Sequence, residues 1–213
     1  HEDKKNTTSY GIGLCLALAF ALVPALETLT LSFEQPYTIQ DDARQFLFWM
    51  QQWRDPELFN KDPIAEYFKS VTPPGYAALH FVLDKIGIHP FLANKLLVTP
   101  LFLLTATLAY KLAYSVRPIT AVAIAGSWLT CFFLSLIDQS LLSATPRAFA
   151  VPLLLWFLLS VSQNSRYQTA VSCLLQALFY PTIALVSAGV LVLLLLLNLI
   201  TYYPNSYLWC TFL

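Results

Sequence analysis

Long apolar runs joined by short polar turns dominate the chain, and one polar interval is far longer than the others. A helix that crosses about 30 Å of hydrocarbon needs about 20 apolar residues at about 1.5 Å of rise each. Residues 11–33 meet that length and carry one acid, Glu27, near one end. Residues 91–114 and 119–137 meet it again, and 148–162 forms a shorter fourth run interrupted by Pro152. Residues 170–200 are largely apolar over 31 positions. As one straight helix they would span about 46 Å, too long for a single crossing without tilt. Pro181 offers the break, because proline removes an intrahelical bond and its ring clashes with the preceding turn. One kinked span and a half-helix followed by a full one both fit. The pattern predicts an all-α, polytopic transmembrane domain over 1–213 with about five spans.

The long interval, 34–90, is not a linker. It holds eight of the chain's 12 acids: Glu34, Asp41, Asp42, Asp55, Glu57, Asp62, Glu66 and Asp84. It also holds Phe46, Phe48, Trp49, Trp53, Phe59, Tyr67, Phe68, Tyr76 and Phe81, more aromatics than a disordered segment carries. Phe46, Trp49, Met50 and Trp53 fall at helical spacing on one face, which predicts a short amphipathic helix over 41–53 with Asp41 or Asp42 capping its start. Pro56 and Pro63 punctuate the stretch after that helix, and Thr72-Pro73-Pro74-Gly75 is a break. Residues 76–86 read as a second helix that Gly87 ends. Trp and Tyr on such helices suit a membrane interface, where an apolar ring carries a wet edge.

Composition agrees with this reading. Hydrophobic residues make up 57% of the chain and charged residues 11%, less than half of the roughly 25% usual in soluble domains. A lipid-facing surface removes the need for more. Lys plus Arg and Asp plus Glu are 12 each, so the net charge is zero, and no basic patch points to nucleic acid. Cys15, Cys131, Cys173 and Cys210 are far apart in apolar stretches and read as small hydrophobes. The sequence opens at His1 and closes in the apolar run 208–213, so a fragment is expected. Lys4 and Lys5 before the first run fit a signal-anchor better than a cleaved signal peptide, given the later spans. Lys4, Lys5, Lys111, Arg117 and Arg166 fall in alternate short loops, which predicts a cytoplasmic N-terminus. Loop 34–90, loop 138–147 and the stretch 202–205 then share the outer side of the membrane.

Gln40-Asp41-Asp42-Ala43-Arg44 is the strongest candidate for chemistry. One carboxylate of a pair can act as a general base, its pKa raised by its neighbour, or both can hold a divalent cation. A helix start also favours Asp there without any further role. Asp138 and Arg147 lie in the next outer loop, where a cation can meet a lipid phosphate or simply snorkel to the interface. Lys95, one turn into the second span, has the same two readings, with snorkelling favoured. His80 and His89 form no metal motif and read as structural. There is no phosphate-binding Gly-rich loop, GxSxG or HExxH, which argues against a nucleotide-dependent soluble reaction; no metal ligands are assigned, and a divalent cation is the one candidate cofactor.

This layout resembles the GT-C class of membrane glycosyltransferases, which includes protein O-mannosyltransferases, oligosaccharyltransferases and aminoarabinose transferases. A first span is followed by a long outer loop that opens on an acidic pair and holds interfacial helices, then by spans joined by short turns. Asp41-Asp42-Ala43-Arg44, Asp55-Pro56-Glu57-Leu58-Phe59 and Thr72-Pro73-Pro74-Gly75-Tyr76 also resemble bacterial, especially cyanobacterial, membrane proteins of that general type. The resemblance implies transfer of a sugar from a polyprenyl-phosphate carrier at the outer face of a bacterial inner (plasma) membrane. It makes Asp41 or Asp42 the base and Asp138 the second acid. Arg147 or Lys95 would neutralise the carrier phosphate, with Arg44 a further substrate-binding candidate. The family commonly has a second acid beside the position of Asp138; here Gln139-Ser140 is found instead, which weakens a metal site more than a base. Membrane lipid and a lipid-linked sugar donor are the expected partners. Two other readings compete. A transporter subunit needs polar groups within its spans, and mid-span charges are nearly absent; a non-catalytic scaffold would use the aromatic loop to bind a partner.

Overall fold

The computed structural model describes residues 2–34 and 41–202, with side chains for 8–34 and 42–197. Gln40, residues 203–205, Cys210, the run 208–213 and the side chains of Lys4, Lys5 and Asp41 lie outside the described residues. Every described element is helical. They are α1 (Glu2–Phe33), α2 (Asp41–Leu47), a 3₁₀ helix (Phe48–Trp53), α3 (Pro63–Val71), α4 (Pro74–Lys85), α5 (Pro90–Val116) and α6 (Thr120–Phe132) with a π turn (Phe133–Ile137). A second 3₁₀ helix (Pro146–Phe149), α7 (Ala150–Ser162), α8 (Arg166–Phe179) and α9 (Pro181–Tyr202) complete the order. Three helices, Thr8–Phe33, Pro90–Val116 and Thr120–Ile137, are long and apolar enough to cross a membrane, and the chain is a membrane protein. Pro146–Ser162 and Pro181–Leu197 are shorter apolar helices.

α1, α5 and α6 form the centre of the bundle. Their contact surfaces are built from small residues, Ala21, Ala25 and Ala106, around Val98, Leu101, Phe102, Cys131 and Leu134. Small side chains let helix backbones approach closely where lipid gives no hydrophobic drive to associate. Polar side chains join neighbouring helices by donating to backbone carbonyls. Tyr110 Oη donates to Tyr10 O at 2.9 Å, Ser127 Oγ to Ala106 O at 2.9 Å, and Gln176 Nε2 to Leu153 O at 3.0 Å. Outward, Leu16, Phe20, Val23, Leu136, Ile137 and Val192 are exposed, as a lipid-facing surface requires.

Two sequence expectations change. Pro152 does not interrupt the fourth run: the helix starts at Ala150, so Pro152 falls in its first turn, where no intrahelical donor is lost. At Pro181 the chain breaks fully, with Tyr180 extended at φ −151°, ψ 85° between two helices. Leu191 and Leu194 of α9 line one cavity with Thr169, Ala170 and Cys173 of α8. α9 therefore folds back along α8, and of the two arrangements that fitted 170–200 the structure has a short helix followed by a longer, returning one, not one kinked span. That return brings the end of α9 to the side of Arg166, opposite to the side expected for Tyr202.

Within the interval 34–90, residues 41–89 fold as a cap. Ala43, Leu47, Trp49, Met50, Ala65 and Tyr76 are buried in a core of their own, with Phe46, Phe48, Trp53, Phe59 and Phe68 packed around it. The predicted 41–53 helix forms, but it tightens to 3₁₀ from Phe48, and Asp41 and Asp42 occupy its first turn. Pro63 is the first residue of α3, which Asp62 caps by accepting from Ile64 N at 2.8 Å. Gly87, at φ +94°, stops the chain just past α4. The cap seats on the bundle through aromatic contacts: Tyr76 lies edge-on to Phe149 at 6.2 Å, and Phe149 meets Phe179 at 4.7 Å.

Gly75 makes that seating possible. A Cβ there would stand 2.9 Å from both Leu178 O and Leu178 Cβ, so α4 touches the end of α8 backbone to backbone. Gly75→Ala is expected to destabilise the protein by about 1–3 kcal/mol through overpacking. Gly189→Ala, with nothing within 4 Å of the added carbon, is expected to be neutral or up to about 1 kcal/mol stabilising. Thermal melting of both variants in detergent checks this, and equal melting temperatures for Gly75→Ala and wild type would refute the contact.

Candidate functional site

The cap covers the end of the bundle where α1 finishes, α5 begins and α6 gives way to the 138–147 loop. Asp42 and Arg44 are exposed on α2 beside the buried Ala43. Asp138 and Arg147 do come together: Arg147 Nη2 donates to Asp138 Oδ1 at 2.6 Å. The Asp138 carboxyl is held below its ordinary range, first by a hydrogen bond from the Ser140 hydroxyl and then by the Arg147 charge, which together outweigh its partial burial. The Arg147 side chain is 53% exposed and that of Asp138 24%, so the pair adds little stability. A guanidinium carries five donors, and its half-exposed fork leaves N–H groups beyond the one on Asp138 free to meet a second acceptor. The two residues flank a folded turn in which Leu141, Ser143, Ala144 and Thr145 are buried and Gln139 takes φ +56°.

Lys95 does not simply run out to the interface. It is only 6% exposed; its Nζ donates to Ser32 O at 2.5 Å and lies 5.1 Å from the centre of the Phe33 ring. The last carbonyls of a helix have no partner within it, and a cation there also meets the negative end of the helix dipole. Lys95 thus closes the end of α1 from another helix. The position one turn into an apolar run carried no signal of that target, which lies 63 residues earlier.

Sequence reasoning missed a second charged pair. Arg54 Nε donates to Asp84 Oδ1 at 2.5 Å, joining the end of the first 3₁₀ helix to the last turn of α4. Asp84 is nearly buried and Arg54 half exposed. His89 beside them is held below its ordinary pKa by burial and by the Arg54 charge, with Asp84 opposing. Its neutral Nδ1 accepts from Phe91 N at 3.3 Å and caps α5. In the sequence Asp84 counts only among the acids of the long interval, and Arg54, 30 positions earlier, carries no signal of its partner.

Under the cap, His80 is fully buried against Tyr76, with ring centres 4.3 Å apart. Its Nδ1 lies 3.0 Å from Tyr76 O, while Nε2 is buried without a partner. Asn94 Nδ2 reaches Tyr76 Oη at 3.5 Å, which ties α4 to α5. Burial pushes the His80 pKa down to about 4 despite the backbone hydrogen bond. His80 thus packs inside the cap rather than at an interface, and His89 caps the start of α5. Among the described residues no three His, Cys, Asp or Glu side chains gather as a metal would need. No protein-family model, curated protein or solved structure matches the chain.

Lys95→Met leaves the Ser32 carbonyl without its charged donor, and a loss of about 1.5–3 kcal/mol is expected, read as a lower melting temperature. For His80, the unfolded ring titrates near 6.5 and the folded one near 4, so the unfolded state binds more protons between those values. Stability is therefore complete above pH 6.5 and falls as the pH drops, by about 1.4 kcal/mol per unit. Melting measured from pH 7.5 to 4.5 checks this, and His80→Phe is expected to flatten that slope.

Proposed function

We propose that the protein is a GT-C-like membrane glycosyltransferase acting at the face that carries the cap. The single observation that carries this reading is the folded cap itself. An acidic pair opens it, and it sits over the same end of the bundle as the Asp138–Arg147 pair. A lipid-linked donor presents its sugar at the membrane surface, and a rigid cap can exclude water there and orient both substrates.

In this mechanism Asp41 or Asp42 removes the proton of the acceptor hydroxyl. The acceptor oxygen bonds to the anomeric carbon, and the bond from that carbon to the phosphate oxygen breaks. Its electron pair leaves with the polyprenyl phosphate, already a good leaving group. Arg147 holds the phosphate through the N–H groups it does not use on Asp138. Arg44, on the same short helix as the acids, assists in binding the donor. Lys95 supports the site indirectly by closing α1, so the phosphate rests on Arg147. Lys4, Lys5, Lys111, Arg117 and Arg166, in alternate short loops at the end opposite the cap, support a cytoplasmic side for that end in a bacterial plasma membrane.

The test is transfer from polyprenyl-phosphate sugar donors in proteoliposomes. Asp41→Asn and Asp42→Asn are expected to include one variant at least about 100-fold slower. Arg147→Ala is expected to raise the donor KM, with Arg147→Lys intermediate. Transfer that survives chelation makes the acid a base; transfer lost on chelation makes the pair a ligand of a divalent cation. Undiminished transfer in both Asn variants would remove the reading.

A further inference from the structure

The cap contains a cavity whose described lining includes neither Asp42 nor the Asp138–Arg147 pair. It measures about 360 Å³ and lies between the first 3₁₀ helix, the turn before α3, and α3. Gln52, Trp53, Phe59, Lys61, Glu66 and Lys69 are among its walls, with Asn60 between the two strained turn residues. This is the low end of the range for small-molecule pockets, large enough for about one ring and its substituents.

The wall is built at a conformational cost. Phe59 has φ +58° and Lys61 φ +60°, a region that side chains other than glycine, asparagine and aspartate rarely enter. Two side chains, Gln52 and Phe48, hold the turn there. Gln52 Nε2 donates to Leu58 O at 3.0 Å and to Phe59 O at 3.4 Å, and the Phe59 ring packs edge-on against Phe48 at 5.2 Å. Strain of this kind persists only where the surroundings over-determine it, and it concentrates at ligand sites. Here it turns residues 59–61 toward α3, which presents Glu66 and Lys69 one turn apart on one face.

The lining reads as a recognition set. Trp53 and Phe59 offer ring surface for the C–H face of a sugar. Asn60, Glu66 and the Gln52 side-chain carbonyl offer acceptors and a donor for hydroxyl groups. Lys61 and Lys69 against Glu66 leave one net positive charge. An apolar ligand would desolvate those ammonium groups without return. A neutral sugar would leave the excess charge unmatched. We propose that this cavity binds a monosaccharide unit carrying one anionic group, a carboxylate or a phosphate. Binding is measurable without transfer, so it stands or falls apart from the glycosyltransferase reading.

The experiment uses the whole chain in nanodiscs of zwitterionic lipid, with Trp49 and Trp53 emission and calorimetry as readouts. The probes are glucuronate, galacturonate, glucose 6-phosphate, glucose and inorganic phosphate. At least one of the three anionic sugars is expected to saturate about tenfold more tightly than glucose and than inorganic phosphate. Lys61→Ala with Lys69→Ala is expected to weaken it about tenfold or more, and Glu66→Gln to weaken it less. All three residues are exposed, so an unchanged melting temperature verifies that the variants fold. Four outcomes each overturn the proposal: no saturation by any anionic sugar, equal affinity for glucose, equal affinity for inorganic phosphate, or undiminished binding in the double lysine variant.

Discussion

Hydrocarbon offers no hydrogen bonds, so a chain that crosses it must satisfy every backbone N–H and C=O itself. Helices do this along their length and fail at their ends. The ends therefore govern this structure. Lys95 closes α1 from α5, His89 caps α5, and Asp62 caps α3. Proline is the first residue of α3, α4, α5 and α9, where its missing N–H would have had no partner in any case. Side-chain donors from Tyr110, Ser127 and Gln176 then reach carbonyls on neighbouring helices and set how the spans pack.

The same requirement shapes the cap. Its helices are too short to stand alone in water, and their stability comes from a shared aromatic core around Trp49, Met50 and Tyr76. Trp49 is held at its polar edge, Nε1 donating to Thr72 Oγ1 at 3.1 Å, so even the break before α4 is tied to that core. Phe149 and Phe179 extend it into the bundle, and Gly75 lets the two meet. The cap, the 138–147 turn and the end of α1 are consequently one packed assembly. Residues far apart in sequence, such as Ser32, Asp84, Lys95 and Arg147, have their settings decided within it.

Periodicity and run length made most of the fold legible. The predicted spans 91–114 and 119–137 differ from Pro90–Val116 and Thr120–Ile137 by at most two residues at either end. The aromatic spacing of Phe46, Trp49, Met50 and Trp53 revealed a folded loop, because one apolar face must find a core. α3 was missed, since Pro63 was read as punctuation although proline opens a helix as readily as it ends one. Of the candidate site, Asp138 and Arg147 were each legible as outer-loop charges. Their pairing was not, because only the folded turn between them brings the two together.

Run length, apolar content and the placement of breakers by themselves determined that this is a helical membrane protein with a folded loop, since those properties depend only on neighbours along the chain. Tertiary structure alone decided the rest. It turned α9 back along α8, sent Lys95 to the end of α1, joined Arg54 to Asp84, and bent residues 59–61 into the wall of a cavity. Each is a contact between distant segments, and its energy depends on which partner the packed bundle brings within reach.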